Sequence, residues 1–271
     1  MKHHVFKGIK VLVVIVLLWE VSSILFQREF LPGAGASIYS LIELTLDGTL
    51  LPHLWASAYR IVIGTMLGLL VSIPVGLLMG GNEKVDQYLG TAFNVLYPIP
   101  KVVFLPIFVV IMGVGDAPKI FLIALVLFFQ LTVVIRDAAK NIPDDIEQVM
   151  QSLGANRFQN MIHLVFPACM PEIITSLRSS MGVSTAMLFI TENFASFRGL
   201  GYYITRCMDS RDYENMYAGI LMLGILGVGL YGVIGLVERK VCKWKMIETI
   251  SRNEQTIQER EMSNEEYEQY V

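Results

Sequence analysis

Charge is scarce in this chain. Only 17% of its 271 residues are Asp, Glu, Lys or Arg, against about 25% in soluble domains. The formal net charge is -3, so there is no basic footprint for nucleic acid, which is not expected as a partner. The three cysteines, Cys169, Cys207 and Cys242, lack metal-ligand spacing, and the four histidines are adjacent (His3, His4) or isolated (His53, His163). No metal site is expected. The chain has no G-x-x-x-x-G-K-[ST] loop, so it cannot hold ATP in the P-loop manner, and H-E-x-x-H and G-x-S-x-G are also missing. Neither catalysis nor a directly bound cofactor is expected.

What the chain has is apolar length: 54% of residues are hydrophobic and the mean hydropathy is +0.55. A membrane span needs about 20 mostly apolar residues. Segments near 8–27, 56–80, 91–113, 119–136, 171–192 and 215–237 reach or approach that length. The expectation is an all-α, polytopic protein of the lipid bilayer with about six transmembrane helices. Residues 1–245 make one membrane domain with a cytoplasmic loop at about 137–170, and 246–271 form an acidic tail with seven glutamates from Glu248 to Glu268. No second soluble domain fits. Lys2, Lys7 and Lys10 precede the first apolar run, but no small-x-small cleavage site follows, so that run reads as an uncleaved span.

Orientation follows from the Lys and Arg census. With the N-terminus inside, 12 cations fall on the cytoplasmic side and 5 (Arg28, Lys119, Arg198, Arg206, Arg211) fall outside. Both termini are therefore expected in the cytoplasm, and Asn193 to Glu214 outside. Cys207 then lies across the membrane from Cys169 and Cys242, which excludes a disulfide between it and either of them.

The polar stretch Asp144 to Pro171 interrupts this pattern. Pro143 followed by Asp144 and Asp145 marks a helix start, where an aspartate can cap free N–H groups. Ile146, Val149, Met150 and Leu153 recur at i, i+3, i+4 and i+7, one apolar stripe on a short helix. Gly154 ends that helix, and a bulky residue there should clash at the break. Arg157 to Val165 predicts a second helix before Pro167. The stretch resembles the cytoplasmic loop of ABC transporter inner-membrane permeases, Glu-Ala-Ala, three variable residues, Gly, then Ile-x-Leu-Pro. The matching positions are Glu147, Gly154, Ile162, Leu164 and Phe166-Pro167, while Gln148 and Val149 replace the two alanines. The resemblance implies that Glu147, Met150, Leu153, Gly154, Ala155, Arg157, Phe158 and Pro167 form a knob that docks on a separate ATPase subunit.

Further marks are similar to the nitrate/sulfonate/taurine branch of that family, with a type I importer, MetI-like fold. They include Asp47 to Leu54, Ser57-Ala58-Tyr59-Arg60, Ile73 to Gly76, Tyr97 to Pro100, Gly113-Val114-Gly115-Asp116 and Gly199 to Tyr202, together spanning about residues 10 to 240. The resemblance implies an ATP-driven importer of a small solute, nitrate-, sulfonate-, taurine- or vitamin-precursor-like. It also implies ATPase subunits that use the ATP, an extracytoplasmic solute-binding protein, and a second permease copy in a homodimer within the plasma membrane.

Pro98, Pro100 and Pro106 remove backbone donors from the third span, which must kink or unwind there. Carbonyls freed at that depth need protein or water around them, so Pro98, Pro100, Lys101 and Pro106 are candidate pathway residues. Lys101 could equally snorkel to the headgroups. Glu192, ending the fifth span, is a candidate for the external mouth, as a gate or binding-protein contact. Glu20 and Arg60 read as structural pairs or interface anchors. An ion-coupled secondary transporter using Glu20, Arg60 and Lys101 is the alternative, although it leaves the knob without a purpose.

Overall fold

The computed structural model describes residues 2–242, with side chains from residue 10 onward. The acidic tail at 246–271 and two of the counted cytoplasmic cations, Lys243 and Lys245, lie outside the described residues. Every regular element is helical among the described residues. They are α1 (Lys2–Phe26), α2 (Ala34–Leu46), α3 (Leu51–Gly80), α4 (Glu83–Leu96), a 3-10 turn (Lys101–Phe104), α5 (Leu105–Met112) and α6 (Ala117–Lys140). Then come α7 (Asp144–Ser152), α8 (Arg157–Asn160), a π turn (Met161–Val165), α9 (Phe166–Glu192), α10 (Leu200–Asp209) and α11 (Tyr213–Val241).

Four helical stretches are long and apolar enough to cross a membrane: Leu51–Gly80, Ala117–Lys140, Arg157–Glu192 and Tyr213–Val241. The helices Glu83–Leu96 and Lys101–Met112 reach that length and apolarity only together and are bent by 83° at the break between them. The described residues thus hold four such stretches, or five with this pair counted as one, against the six expected. The expected first span falls on the 25-residue α1. Two short helices were not expected. α2 alternates Ser37 and Ser40 with bulky apolar residues, so its buried face is small and polar. α10 buries Leu200, Tyr203, Ile204 and Cys207 on one side, a helical stripe too short to read as a span.

The described chain forms two compact units. The first takes the chain up to Ser72, then Ala92–Gln130 and Ser180–Leu230. In it Gly64 and Gly68 of α3 press against α6, where a Cβ on either would lie 2.8 Å from Ile123 or 2.9 Å from Leu127. Small residues of this kind let helix backbones approach closely in a bilayer. A core of Leu50, Leu200, Tyr203, Cys207 and Met222 seats α10. α1 is tied by polar side chains: the Trp19 indole N–H donates to Pro32 O (3.0 Å) and Ser23 to Leu31 O (2.8 Å). Glu20, read above as a structural partner, accepts from the Gly35 N–H at 3.3 Å.

The second unit takes Ile73–Thr91, Leu131–Ser179 and the described chain from Tyr231. There a Cβ on Gly76 would lie 2.7 Å from Ile135, and one on Gly80 would overlap Ala139. Asp86 pairs with Lys140 at 2.5 Å, and Arg178 with Glu238 at 2.7 Å.

Candidate functional site

The knob belongs to the second unit. α7 starts where expected, but Pro143 occupies the N-cap and no side chain caps the turn. Asp144, Asp145 and Glu147 sit inside the first turn instead, where the positive end of the helix dipole favours a carboxylate. Gly154 follows the helix at φ +79. Its N–H donates to Gln151 O (2.9 Å), and the Ala155 N–H donates to Met150 O (3.1 Å), so the last turn is closed off by its own carbonyls. The expected clash at Gly154 is corrected: nothing lies within 4 Å of where its Cβ would be. A side chain there is opposed by the left-handed backbone, not by a neighbour.

Asn156 then caps α8 reciprocally. Its side chain accepts from the Gln159 N–H, and the Gln159 side chain accepts from the Asn156 N–H, both at 2.8 Å. The Asn-x-x-Gln spacing that signals this box was in the sequence and went unread. The expectation that Pro167 ends the second helix is also corrected, since α8, the π turn and α9 run on without a break. The wider π turn carries the Phe166 N–H to Met161 O and loosens the wall of carbonyls that a proline ring otherwise strikes. Leu153 is 78% and Phe158 72% exposed, and Ile146 and Val149 join them in an uncovered apolar face. Arg157 is exposed, while Glu147, Met150, Ala155 and Pro167 are half-buried.

The other predicted residues lie in the first unit. Pro98 and Pro100 occupy the break after α4, Lys101 opens the 3-10 turn, and Pro106 is the second residue of α5. The Lys101 ammonium donates to Leu96 O (2.9 Å) and Tyr97 O (2.6 Å), two carbonyls at the break, the first of which also accepts from the Ile99 N–H (3.2 Å). It also lies 4.6 Å from the centre of the Phe129 ring, a cation–π distance.

Glu192, expected at a rim, is fully buried. Its carboxylate accepts from Ser57 Oγ at 2.8 and 2.9 Å, from Arg60 Nη1 at 2.6 Å and from the Gly201 N–H at 2.8 Å. Gly199, at φ +126, passes so close that a Cβ would fall on the Glu192 carboxylate. Its neighbours tighten the same turn: His53 Nδ1 meets the Gly199 backbone, and the Leu200 N–H donates to Ser57 Oγ at 2.9 Å. Arg60 turns its other edge to Asp116, with Nε at 2.8 Å and Nη2 at 2.6 Å from the same Oδ1. Buried Lys119 donates to Gly115 O (2.6 Å) and Ala195 O (3.2 Å), and Ala195 holds a left-handed φ of 49. Strained backbone of this kind persists only where its surroundings fix it. Ser57, Arg60, Asp116, Lys119 and Gly199 were all visible as family marks or stray charges. Their convergence around Glu192 was not.

A helical transport protein is the class this fold and site define: long apolar helices, a bent helix pair and a two-helix knob with exposed apolar side chains. The chain belongs to the binding-protein-dependent transport system inner membrane component family, whose pattern residues 72–243 match. It is the permease subunit of an ATP-driven ABC importer, a transport component and not an enzyme. It is 29% identical over 244 residues to the putative aliphatic sulfonates transport permease protein SsuC of Bacillus subtilis, covering 88% of this chain and 87% of that one. It is also 29% identical over 238 residues to the taurine transport system permease protein TauC of Escherichia coli, covering 86% of each. Among solved structures, an inward-facing MetNI methionine ABC transporter shares the fold, with a TM-score of 0.64 at 17% identity, over 71% of this chain and 95% of that one. The family works in the plasma membrane with ATPase and binding-protein partners. The ion-coupled alternative gives way to these findings. Glu20, Arg60 and Lys101 are moreover each held by separate partners: the Gly35 N–H, two carboxylates and two backbone carbonyls.

Proposed function

We propose that the chain works as one half of a homodimeric pore, with both termini cytoplasmic and the knob of Glu147, Met150, Leu153, Gly154, Ala155, Arg157, Phe158 and Pro167 docked on an ATPase subunit. The observation that carries the docking is the uncovered apolar face of Ile146, Val149, Leu153 and Phe158 on a helix–joint–helix unit. An amphipathic helix that leaves its stripe bare is made for a groove on a partner. The 12-to-5 cation bias supports a cytoplasmic position for that face, where ATP is. ATP-driven closure of two ATPase subunits would draw two knobs together and switch the pore between facing directions. The break at Pro98, Pro100, Lys101 and Pro106 lies along the route. The chain itself binds no cofactor, and ATP is used by the partner.

The solute is sulfonate-like, in keeping with the sulfonate and taurine permeases that the chain resembles. A binding protein delivers it at the extracytoplasmic face. Co-purification of the ATPase tests the docking. Leu153→Asp should lose the ATPase while leaving the permease in the membrane, and full retention would overturn it.

A further inference from the structure

In the first unit a cavity of 540 Å³ opens beside the Glu192 cluster. Four charged side chains line it, and three are cations: Arg60, Lys119 and Arg198 against Asp116. Trp55, Tyr59 and Phe197 supply aromatic wall. We propose that the outward edge of Arg60 is a seat for a small organic oxyanion of the sulfonate or carboxylate type, which Asp116 occupies here and yields to the ligand. This rests on the importer reading and deepens it by placing the solute's charged group.

The geometry of Arg60 carries the inference. Its inward Nη1 is fixed by Glu192 (2.6 Å) and Arg198 O (2.7 Å), so the guanidinium stays in place whatever meets its other edge. The outward Nε and Nη2 are parallel donors, suited to two oxygens of one anion. Here both converge on the single Oδ1 of Asp116. A sulfonate would give each donor its own oxygen. The Asp116 side chain is 51% exposed, whereas that of Arg60 is only 5% exposed beneath it. Asp116 follows a turn with Gly113 at φ +82 and Gly115 at φ +156. Its backbone oxygen accepts from the Ile120 N–H at the start of α6 and need not move, because a side-chain rotamer change suffices to clear the seat. The Lys119 ammonium, held by two carbonyls and in no ion pair among the described residues, adds positive charge beneath the cavity. The rings match the organic part of the ligand.

The test titrates the purified permease–ATPase complex with methanesulfonate, without binding protein. Trp55 emission is read in a Trp19→Phe, Trp244→Phe background, and dimethyl sulfone serves as the uncharged isostere. A saturable response to methanesulfonate alone is expected. Asp116→Asn, which removes the charged competitor, should tighten it about tenfold. Arg60→Lys, which removes the fork, should weaken it by about tenfold or more. Unchanged affinity in Asp116→Asn overturns the seat, as does an equal response to dimethyl sulfone. Asp116 is half exposed, so that arm stands even where the buried Arg60 variant fails to fold. ATP-dependent uptake of radiolabelled taurine and methanesulfonate by cells separates the two readings. A flat titration with uptake intact removes the seat alone. A saturable titration of the complex, with neither solute imported by cells, removes the sulfonate-importer reading alone.

Discussion

Arg60 joins two carboxylates of opposite accessibility, which makes it an internal comparison of buried against exposed ion pairing. Glu192→Ala removes a fully buried partner and leaves Arg60 short of one counter-charge. The cost of breaking a buried pair on one side is about 3–5 kcal/mol. The Gly201 N–H and Ser57 hydroxyl lose their acceptor in the same change, and a buried unsatisfied donor costs about 1–3 kcal/mol. Asp116 remains to neutralise Arg60 in part, so the expected total is about 4 kcal/mol, near the lower end of those ranges combined. Asp116→Ala removes the half-exposed partner, where pairs contribute about 0.2–1 kcal/mol. The two variants should therefore differ by about 3 kcal/mol although each deletes one carboxylate from one guanidinium. Unfolding of the purified permease in mixed micelles by increasing SDS would read both. A double variant, Arg60→Met with Glu192→Leu, should recover much of the Glu192→Ala loss, because the buried guanidinium leaves together with its partner. Equal losses in the two single variants, or a larger one for Asp116→Ala, would refute the reasoning.

Gly80→Ala should destabilise by about 1–3 kcal/mol through overpacking on Ala139, whereas Gly229→Ala, with nothing within 4 Å, should be neutral or stabilising in the same titration. Gly154→Ala should cost about 1–2 kcal/mol through the left-handed backbone alone, and should weaken ATPase retention less than Leu153→Asp does. For topology, Cys207 is a poor reporter: it is buried, and burial pushes its thiol pKa up. Less thiolate is present at neutral pH, so labelling should be slow and should quicken as pH rises. A cysteine placed at exposed Ser210 should react with an impermeant maleimide in intact cells and one at Ser152 should not; the reverse pattern would invert the orientation. Lys101→Met strips the cap from two carbonyls and should lower uptake, and Lys101→Arg should restore much of it, since a guanidinium can also donate to both.

The knob was legible because its signals are local. Gly154 marks the joint, and the Ile146–Leu153 stripe marks the exposed apolar face, each within a few residues. The π turn was not legible, because Pro167 reads as a stop in any window that assumes regular α geometry. The broken span was foreseen from its prolines, while the use of Lys101 as a cap depended on which way a flexible side chain folds back. Glu192 shows the sharper limit. Its partners Ser57 and Arg60 lie 135 and 132 residues away, and a carboxylate at the end of an apolar run looks the same from sequence whether it faces water or an arginine. α2 and α10 escaped notice because each is shorter than a span and carries its pattern for only two or three turns.

The crowding of Gly199 against Glu192 has a consequence for how this sequence can drift over generations. Any side chain at Gly199 meets the carboxylate, so position 199 can accept a change only after position 192 has shortened or moved. Shortening Glu192 draws its oxygens away from Ser57, Arg60 and the Gly201 N–H, so that first step meets its own barrier. Neither order of substitution passes through a comfortable intermediate. The stretch from Glu192 to Gly201 is therefore expected to be inherited as a block. In lineages that carry another residue at 199, Ser57 and Arg60 should have changed too.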